Sequence, residues 1–550
     1  MKVLILFLTL LVSSAVAQDT ASTKESKLTR AVVDILAPIH LEDAPGGVVC
    51  VIRDGKAIVL ESFGLADIER KTPVSKSTPF YIASTAKTIT AYCVMHAAGA
   101  GKLDLDAPLH KYFPRLPKSL KGATLRHAMH HTSGLVDVYD TVIGADLPRE
   151  VMSSNERVVE LMASIPEPNF SPGTSFLYSN SGYVLLAQAL QQATGESLAQ
   201  YARKHVFEPF GMPHAHYLGE NHKGAVAKSY SRTSEGWSSL EVITGLTGPG
   251  GLYASMQDLI QFDLGIRNGV DSKLKASLFK TAPHASHPNL GSYGAGWMLQ
   301  EFRGLQVQRH QGGAFGFNAD LLRFPDQDTT IIVLLNTNAI SATDLSEELA
   351  ELVLAKEIED SVVAPLKTIP FVRADVQRFG RIWQSTETGF VWVITPKAEA
   401  FAFASLGDVK VKLVKVGETR LEALDPQAPF AVELDGESLL VMRGSDKPLR
   451  LKRLAFPPSG LEPSTDYAGE YGSDDLNCQI RLVATDDGRL RLQQQEDPLL
   501  EIPPFLALGP DLYICDKGAQ MNFHRNDSGE IIGLTMHVNR AWGLEFKRLK

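Results

Sequence analysis

The sequence predicts an α/β domain followed by two small antiparallel β-barrels, and three observations support this fold class. The first part of the chain combines apolar strand patterns, such as Val48–Ile52, with helical runs, such as Thr88–Met95. Proline-containing segments interrupt this pattern near residues 365 and 457. The two segments that follow these interruptions have similar lengths and consist of short alternating strands with few helical runs.

The chain begins with a segment typical of a secretory signal peptide. Lys2 is its basic start, Val3–Val12 its apolar core and Ala15–Ala17 a cleavage site of small residues. This core is too short to cross a bilayer, and no later stretch reaches the roughly eighteen apolar residues of a membrane span. We therefore expect residues 1–17 to be cleaved and the mature protein to be secreted or periplasmic, without a membrane span.

Composition excludes several classes of protein. The formal net charge of −9 is spread without long acidic or basic runs, so we expect no nucleic-acid partner. Four cysteines in 550 residues cannot form a disulfide scaffold. Cys50 and Cys93 lie in apolar segments typical of buried thiols, whereas Cys478 and Cys515 are either free or joined in one disulfide.

Length and linkers divide the mature chain into three domains. The first is predicted over residues 25–356, and a linker follows it up to Pro370. The segments 371–455 and 464–550 end in similar hexapeptides, Leu449–Leu454 and Leu544–Leu549, which are 95 positions apart. Their predicted strands, separated by turns such as Asp-Gly, include 390–394, 409–416, 479–483 and 489–493. Each segment is therefore predicted to be a small antiparallel β-barrel, the second of them lipocalin-like.

Three short motifs follow one another in the first domain. They are Ser84-Thr85-Ala86-Lys87, Tyr178-Ser179-Asn180 and His310-Gln311-Gly312-Gly313. Ser84 follows an apolar stretch and opens a helical run, which indicates a strand- or loop-to-helix junction. Further Ser-x-x-Lys matches at Ser272 and Ser277 lie in a lysine-rich segment that is typical of a solvated helix face.

The residue types in these motifs suit nucleophilic catalysis. A serine hydroxyl needs an adjacent base, and Lys87 can approach Ser84 because positions i and i+3 of a helix share one face. Lysine acts as a base only when its pKa falls toward neutrality, and its apolar neighbours here include no carboxylate. Tyr178 is a second proton carrier, and Asn180 offers an amide to a substrate amide. The glycines after His310 allow the backbone to approach a substrate closely.

This set of motifs resembles the serine β-lactamase and penicillin-binding-protein superfamily. It is most similar to the branch with His-x-Gly as third motif, the class C-like esterases and D-stereospecific aminopeptidases. Supporting motifs cover most of residues 30–350: Pro45-Gly46-Gly47, His131-Thr132-Ser133-Gly134-Leu135, Ser171-Pro172-Gly173, Gly248-Pro249-Gly250-Gly251 and Tyr293-Gly294-Ala295-Gly296-Trp297. The resemblance implies a β-lactamase-like domain, in which helices flank an antiparallel sheet and form a further helical subdomain.

The resemblance also implies a role for each residue of the motifs. Ser84 would be the nucleophile, Lys87 the general base and Tyr178 a partner in proton transfer, and His310 would complete the catalytic set. Asn180 and Gly312 would bind substrate, and the backbone N–H groups of Ser84 and Gly313 would form the oxyanion hole.

A β-lactamase-like domain followed by two β-barrels is similar to the layout of the D-aminopeptidases. In that family a loop of the last barrel binds the free amino group of the substrate. The matching stretch here is Cys515–Gln520, in which Asp516 could pair with an ammonium group. His310 replaces the lysine that is usual in penicillin-recognising enzymes, and histidine is mostly neutral at neutral pH. This weakens the case for a β-lactamase or a D,D-carboxypeptidase.

The expected function is therefore an exported serine hydrolase that forms an acyl-enzyme on Ser84, of the D-aminopeptidase-like peptidase or amidase type. A class C-like carboxylesterase is the alternative, and a non-catalytic binding protein is the remote one. The expected partner is a small peptide, amide or ester substrate, and a homodimer remains an open alternative.

Other enzyme classes fit the sequence less well. Histidines gather in two short segments: His127, His130, His131, His214 and His216. No His-Glu-x-x-His motif occurs, so we expect neither a metal ion nor another cofactor. The G-x-S-x-G elbow of the α/β-hydrolases is also absent from the sequence.

Overall fold

The computed structural model describes residues 27–220, 222, 224–287, 291–360, 367–380, 382–385, 391–398, 401–406, 409–423, 430–442, 448–454, 464–493, 502–509, 511–515 and 519–549. The predicted signal peptide and Asp516 lie outside the described residues. The helices within those ranges are too short or too polar to traverse a lipid bilayer.

The first part of the chain forms an α/β domain around one antiparallel sheet. Its strands are β1 Gly47–Arg53, β2 Lys56–Phe63, β3 Leu65–Asp67, β4 Thr72–Pro73, β5 Phe80–Tyr81, β6 His216–Tyr217, β7 Ser229–Thr233, β8 Gly236–Leu240, β9 Leu252–Ala254, β10 Ser286–His287, β11 Gly291–Tyr293, β12 Met298–Phe302, β13 Leu305–Ala314, β14 Phe317–Phe324 and β15 Thr329–Leu335. The main sheet has the order β10-β11-β12-β13-β14-β15-β1-β2. Because β1 pairs with β15, the beginning and the end of the domain meet inside this sheet.

Helices cover the main sheet and form a separate subdomain. They are α1 (residues 27–36), α2 Ala86–Gly99, α3 Leu109–Tyr112, α4 Leu125–Met129, α5 Val138–Gly144, α6 Asn155–Ser164, α7 Asn180–Thr194, α8 Leu198–Ala202, α9 Glu208–Phe210, α10 Met256–Leu264, α11 Ser272–Leu278, α12 Ala342–Val353 and α13 Ala355–Asp360. A later helix, α14 Arg373–Phe379, packs instead with the closed barrel of the last part of the chain. Short 3₁₀ or π turns occur at Ala83–Thr85, Lys118–Leu120, Arg149–Ser153, Arg203–Phe207, Gly265–Gly269 and Ser464–Asp466. The helices from α3 to α9 follow one another without a strand of the main sheet between them, and they form the helical subdomain.

Two hydrophobic clusters cover the two faces of the main sheet. Successive residues of β1 point to opposite faces, as the period of a strand requires. Val48, Cys50 and Ile52 pack with α2 and the helical subdomain, whereas Val49 and Val51 pack with α1 and α12. Every residue of β1 except the last is buried, which explains why this strand is a continuous apolar run in the sequence.

The last part of the chain forms two further antiparallel sheets. The first is a closed barrel of β16 Ile382–Ser385, β17 Val391–Ala398, β18 Phe401–Leu406, β19 Val409–Lys415, β20 Arg420–Ala423, β21 Ala431–Asp435, β22 Ser438–Met442 and β23 Leu449–Arg453. The second contains β24 Gly469–Ser473, β25 Cys478–Ala484, β26 Leu490–Leu492, β27 Leu506–Gly509, β28 Leu512–Ile514, β29 Gln520–Arg525, β30 Ile531–Val538 and β31 Ala541–Arg548. Its order is β26-β25-β24-β31-β30-β29-β28-β27, and a bridge between Leu490 and Phe505 nearly closes it. The predicted fold class is therefore confirmed.

The last sheet packs directly on the first domain, whereas the closed barrel has a core of its own. Trp383 and Leu439 belong to the separate cluster inside the barrel. The core of the last sheet is continuous with that of the first domain. The hairpin of β30 and β31 lies so close to α5 that a Cβ atom at Gly144 would be 2.6 Å from Val538 Cγ2. This packing brings the hairpin toward the three motifs.

All four cysteines lie within the described residues, and none of them forms a disulfide there. Cys50, Cys93 and Cys515 are buried, and Cys478 is partly buried. The disulfide between Cys478 and Cys515 that the sequence leaves open is therefore not formed in the structure.

Candidate active site

Ser84 lies in a tight turn directly before α2. The short strand β5 precedes the turn and pairs with β9. Ala83, next to Ser84, has φ of +46°, a left-handed conformation that residues other than glycine rarely adopt. The Thr85 hydroxyl donates to the carbonyl oxygen of His310 over 3.2 Å. The turn is thus fixed against β13, and the Ser84 side chain stays partly exposed.

The amine of Lys87 is buried and has three polar neighbours. Its Nζ atom lies 2.8 Å from Asn180 Oδ1, 2.8 Å from the carbonyl oxygen of Pro249 and 3.1 Å from Ser84 Oγ. The first two neighbours can only accept hydrogen bonds. A neutral amine has two N–H bonds and one lone pair, so donation to these two acceptors leaves the lone pair for the Ser84 hydroxyl.

The surroundings of Lys87 favour the neutral amine. Burial lowers the pKa of Lys87 well below its usual value. The carboxylate of Asp137 opposes this shift, and the guanidinium of Arg540 acts in the same direction as burial. The neighbours that Lys87 bonds directly are an amide, a carbonyl and a hydroxyl. These groups orient the amine without the full charge that would keep it protonated.

Tyr178 covers Lys87 from the side of the helical subdomain. Its ring centroid is 4.8 Å from Lys87 Nζ and 4.2 Å from the ring centroid of His131. The Tyr178 hydroxyl is buried near Ser84, without a hydrogen bond of normal geometry to any described residue. Burial raises the pKa of Tyr178 above its usual value, and Ser84 opposes the shift. Tyr178 is therefore a protonated phenol in the resting site, able to donate a proton but not to accept one.

Asn180 connects Lys87 to a buried carboxylate. Its backbone N–H and its side-chain Nδ2 both donate to Asp137 Oδ2, over 2.6 Å and 2.9 Å. Because a carboxylate only accepts, the nitrogen of the amide must face Asp137 and the oxygen must face Lys87. Asp137 caps the N-terminus of α5 with its other oxygen. The orientation of Asn180, and through it that of Lys87, therefore depends on Asp137.

His310 is neutral in the structure. This agrees with the expectation for a histidine at the position where penicillin-recognising enzymes usually have a lysine. Its Nδ1–H donates to the carbonyl oxygen of Gln311 over 2.7 Å, and its Nε2 accepts from the Tyr293 hydroxyl over 2.9 Å. Burial lowers the pKa of His310 to about 3, and Lys87 adds to the effect. His310 therefore supplies a fixed dipole and packing to the site, not a positive charge.

The glycines after His310 let β13 approach the Ser84 turn. A Cβ atom at Gly312 would lie 2.2 Å from the carbonyl oxygen of Ile82, whereas one at Gly313 would meet no atom within 4 Å. β12 pairs with β13 only as far as Arg309, while β14 pairs with it up to Ala314. Among the described strands, the segment 310–314 is therefore paired on one side only. The open edge can accept an extended substrate as an additional strand.

The structure brings together Ser84, Lys87, Tyr178, Asn180, His310, Gly312 and Gly313 of the predicted site, and Asp516 lies outside the described residues. Four further residues that contact the site have no assigned role in the sequence analysis: Asp137, His131, Tyr293 and Arg540. His131 and Tyr293 belong to motifs that support the resemblance, so the sequence carries a signal for them. Asp137 and Arg540 have no such signal, because their pairing joins segments about 400 residues apart.

The clustered histidines have separate structural roles. His127 takes part in the N-terminal capping box of α4. His130 donates to the carbonyl oxygen of Tyr293, and His131 accepts from the backbone N–H of Ser179. His216 stacks on Tyr253 and His222. In the part of the chain that the structure describes, no three His, Cys, Asp or Glu side chains are grouped to hold a metal ion.

Comparisons with known proteins identify the family and the fold of the chain. The family model described as Beta-lactamase matches residues 36–355. A D-aminopeptidase of Brucella anthropi is 25% identical over 527 residues, which are 92% of this chain and 96% of that protein. The octameric penicillin-binding protein homologue from Pyrococcus abyssi has a TM-score of 0.54 at 21% identity and covers 78% of this chain and 99% of its own.

A further solved structure has the same fold. The D-amino acid amidase from Ochrobactrum anthropi SV3, complexed with D-phenylalanine, has a TM-score of 0.52 at 19% identity, covering 60% of this chain and 99% of its own. The family model spans more than half of the chain, and the structural neighbours share its fold. The chain therefore belongs to the beta-lactamase family.

Proposed function

We propose that the protein is an exported serine hydrolase that removes D-aminoacyl groups from small amides or peptides through an acyl-enzyme on Ser84. One observation carries this proposal: the buried Lys87 Nζ lies 2.8 Å from two acceptor-only oxygens and 3.1 Å from Ser84 Oγ, so that the neutral amine, donating to both acceptors, has its lone pair available to the Ser84 hydroxyl. A serine beside a neutral, oriented amine is an activated nucleophile. Packing alone does not require this arrangement, because a buried lysine is costly to a fold.

Acylation begins with proton transfer from Ser84 to Lys87. As Ser84 Oγ forms a bond to the substrate carbonyl carbon, its proton passes to the Lys87 lone pair. The oxyanion then accepts hydrogen bonds from the backbone N–H groups of Ser84 and Gly313, where such donors commonly contribute about 3 kcal/mol each. The carbonyl re-forms as the bond to the leaving nitrogen breaks. Tyr178 donates its proton to that nitrogen, and Lys87 returns a proton to Tyr178.

Deacylation repeats these steps with water as the nucleophile. Water attacks the ester carbonyl of the acyl-enzyme, and Lys87, neutral again, accepts its proton. When the second oxyanion collapses, the bond to Ser84 Oγ breaks and Lys87 returns the proton to this oxygen. The sum of the two stages consumes one water molecule and releases an amine and an acid. Ser84, Lys87 and Tyr178 therefore regain their starting protonation states, and the two hydrogens of the water end, in net terms, on the amine and on the acid.

The site chemistry and the relatives together suggest the substrate class. A neutral His310 offers no positive charge to a substrate carboxylate, which disfavours penicillin-like and D,D-carboxypeptidase substrates. The D-aminopeptidase of Brucella anthropi is similar over nearly its whole length, including the barrel and the last sheet. We infer that the substrate carries a free amino group, and that Asp516 is the carboxylate that pairs with it, since a desolvated ammonium needs a partner.

A substrate panel on the purified protein tests the proposal. D- and L-aminoacyl p-nitroanilides, N-blocked short-chain esters and a chromogenic cephalosporin are compared for wild type and Ser84→Ala. We expect cleavage of the D-aminoacyl compounds by wild type alone, with covalent labelling of Ser84 by a fluorophosphonate probe. Ester cleavage without aminopeptidase activity would favour the class C-like esterase. No labelling and no turnover would favour a binding protein with a retained hydrolase fold.

A further inference from the structure

The tip of the last hairpin is bound by the catalytic part of the chain. It consists of Asn539 and Arg540, between β30 and β31. The carbonyl oxygen of Arg540 accepts from the backbone N–H of Asp137 over 2.9 Å and from Asn169 Nδ2 over 2.9 Å. The amide oxygen of Asn169 accepts from the backbone N–H of Trp542 over 2.9 Å. Specific hydrogen bonds therefore hold the hairpin on the first domain, in addition to its apolar contact with α5.

The side chain of Arg540 enters the same region. Its Nε donates to Asp140 Oδ2 over 2.7 Å, and its Nη2 lies 3.4 Å from Asp137 Oδ1. The guanidinium carbon is 5.9 Å from the ring centroid of Tyr178. Asp137 and Asp140 are almost fully buried, whereas the Arg540 side chain is 28% exposed. Among the ion pairs of the described residues, Arg540 is the cation that these two carboxylates share.

A continuous chain of contacts leads from Arg540 to the nucleophile. Arg540 pairs with Asp137, Asp137 accepts both N–H groups of Asn180, and Asn180 accepts from Lys87, which faces Ser84. A buried carboxylate without a counterion is strongly unfavourable. Without Arg540, Asp137 and Asp140 would be two neighbouring buried anions, and one of them would have to turn toward water or take up a proton.

We propose that Arg540 is a positioning residue of the active site, through which the last sheet sets the orientation and the charge state of the Ser84–Lys87 pair. The inference rests on the proposed role of Lys87 as general base. It assigns a part in catalysis to a hairpin that is distinct from the loop at 515–520. The last sheet would then be required for activity even with substrates that have no amino group.

The electrostatic consequence has a definite sign. The titratable or charged groups around Lys87 are Asp137, His131, Tyr178, Tyr183, His310 and Arg540. Burial lowers the pKa of His131 and of His310, so both are neutral, and it raises that of both tyrosines. The nearest charges that remain are Asp137, which raises the pKa of Lys87, and Arg540, which lowers it. Asp140, the other carboxylate paired with Arg540, carries a further negative charge, and a negative charge near an amine raises the pKa of that amine. Loss of Arg540 must therefore raise the pKa of the base.

The test measures the rate of Ser84 labelling by a fluorophosphonate probe as a function of pH, which needs no knowledge of the substrate. Labelling requires the neutral Lys87 amine, so the rate falls on the acid side of its pKa. Arg540→Gln keeps a hydrogen-bond donor but removes the charge. We expect the acid limb of its pH–rate profile, the range in which the labelling rate falls with decreasing pH, to move up by about one pH unit. At pH values within this range, the labelling rate of the variant is then about tenfold lower than that of wild type. Arg540→Lys should leave the limb close to its wild-type position.

Three further variants separate electrostatics from folding. Arg548→Gln is the matched control, because this arginine of β31 donates to the carbonyl oxygens of Asp466 and Ala468, away from the site. Its profile should match that of wild type. Arg540→Gln combined with Asp140→Asn removes one charge of each sign, and it should return the limb toward the wild-type position. Asp140→Asn alone should move the limb to lower pH, and it provides the test if Arg540→Gln does not fold.

The outcomes are distinct. An acid limb that stays in place in Arg540→Gln, with a lower melting temperature, would mean that Arg540 only holds the hairpin, and this would overturn the inference. The same conclusion follows if Asp140→Asn alone leaves the limb unmoved. Failure of the proposed function appears differently, as wild-type protein that the probe does not label or as labelling that persists in Ser84→Ala.

Discussion

Gly312 permits the close contact between β13 and the Ser84 turn, and its replacement by alanine is a direct test of the site geometry. The added Cβ atom would lie 2.2 Å from the carbonyl oxygen of Ile82, 2.8 Å from Thr85 Oγ1 and 3.1 Å from the backbone nitrogen of Thr85. Two of these atoms belong to the backbone, so no side-chain rotation relieves the contact. Either β13 or the turn that carries Ser84 must move.

The size of this movement follows from the distances. The contact with the Ile82 oxygen reaches ordinary van der Waals separation only after a shift of about 1 Å. A misplacement of about 1 Å between catalytic groups typically costs about 100-fold in rate. Overpacking of this kind usually lowers the free energy of unfolding by about 1–3 kcal/mol. We therefore expect Gly312→Ala to fold, with a reduced melting temperature and at least tenfold slower labelling of Ser84.

The assay compares the labelling rate and the melting temperature of Gly312→Ala with those of wild type and Gly99→Ala. Gly99 ends α2, and a Cβ atom there would meet nothing within 4 Å, so this control adds the same methyl group without a clash. Labelling of Gly312→Ala at the wild-type rate, with an unchanged melting temperature, would contradict the close backbone contact between β13 and the Ser84 turn.

Further predictions follow from the same geometry. Ser84→Ala and Lys87→Ala should each nearly abolish acylation. The double variant should be no slower than either single variant, because the effects of residues that act as one unit are not additive. If the rate losses of the two single variants multiply in the double variant, Lys87 is not the base of Ser84. His310, with its pKa lowered to about 3, should keep the Nδ1–H tautomer in a ¹⁵N NMR titration, and protonation near the usual histidine pKa would contradict this. Asp516→Asn should lower kcat/KM for D-aminoacyl amides by about 1–3 kcal/mol in transition-state terms and leave N-blocked esters unchanged; an equal loss on both substrates would point to folding instead.

The last hairpin gives the C-terminal sheet a contact with the candidate active site that the sequence analysis does not anticipate. The resemblance directs attention to the loop at 515–520, whereas the contacts of the described residues pass through Arg540 and its neighbours. Both polar atoms of the Asn169 side chain, Nδ2 and Oδ1, form hydrogen bonds with this hairpin. Substitution of Asn169 would therefore disturb the docking of the hairpin on the first domain.

Local patterns in the sequence were sufficient for several features of the protein. The pairing of Ser84 with Lys87 depends on helical spacing over three positions, and the strands of the barrel and the last sheet follow from alternation and turn residues. The apolar run Val48–Ile52 of β1 is recognisable because both faces of this strand are buried. These features depend on neighbours within a few residues, which is the range over which backbone geometry acts.

Only the tertiary structure decided the surroundings and the orientation of the candidate catalytic groups. The acceptors that orient Lys87 come from Asn180 and Pro249, which lie 93 and 162 residues away in the chain. The counterion of Asp137 comes from a hairpin near the other end of the chain. A pKa depends on the burial and charge that all packed segments produce together, and no local pattern encodes that sum. The sequence therefore indicated which residues could react, and the fold determined that Lys87 is buried, that its pKa is lowered and that it faces Ser84.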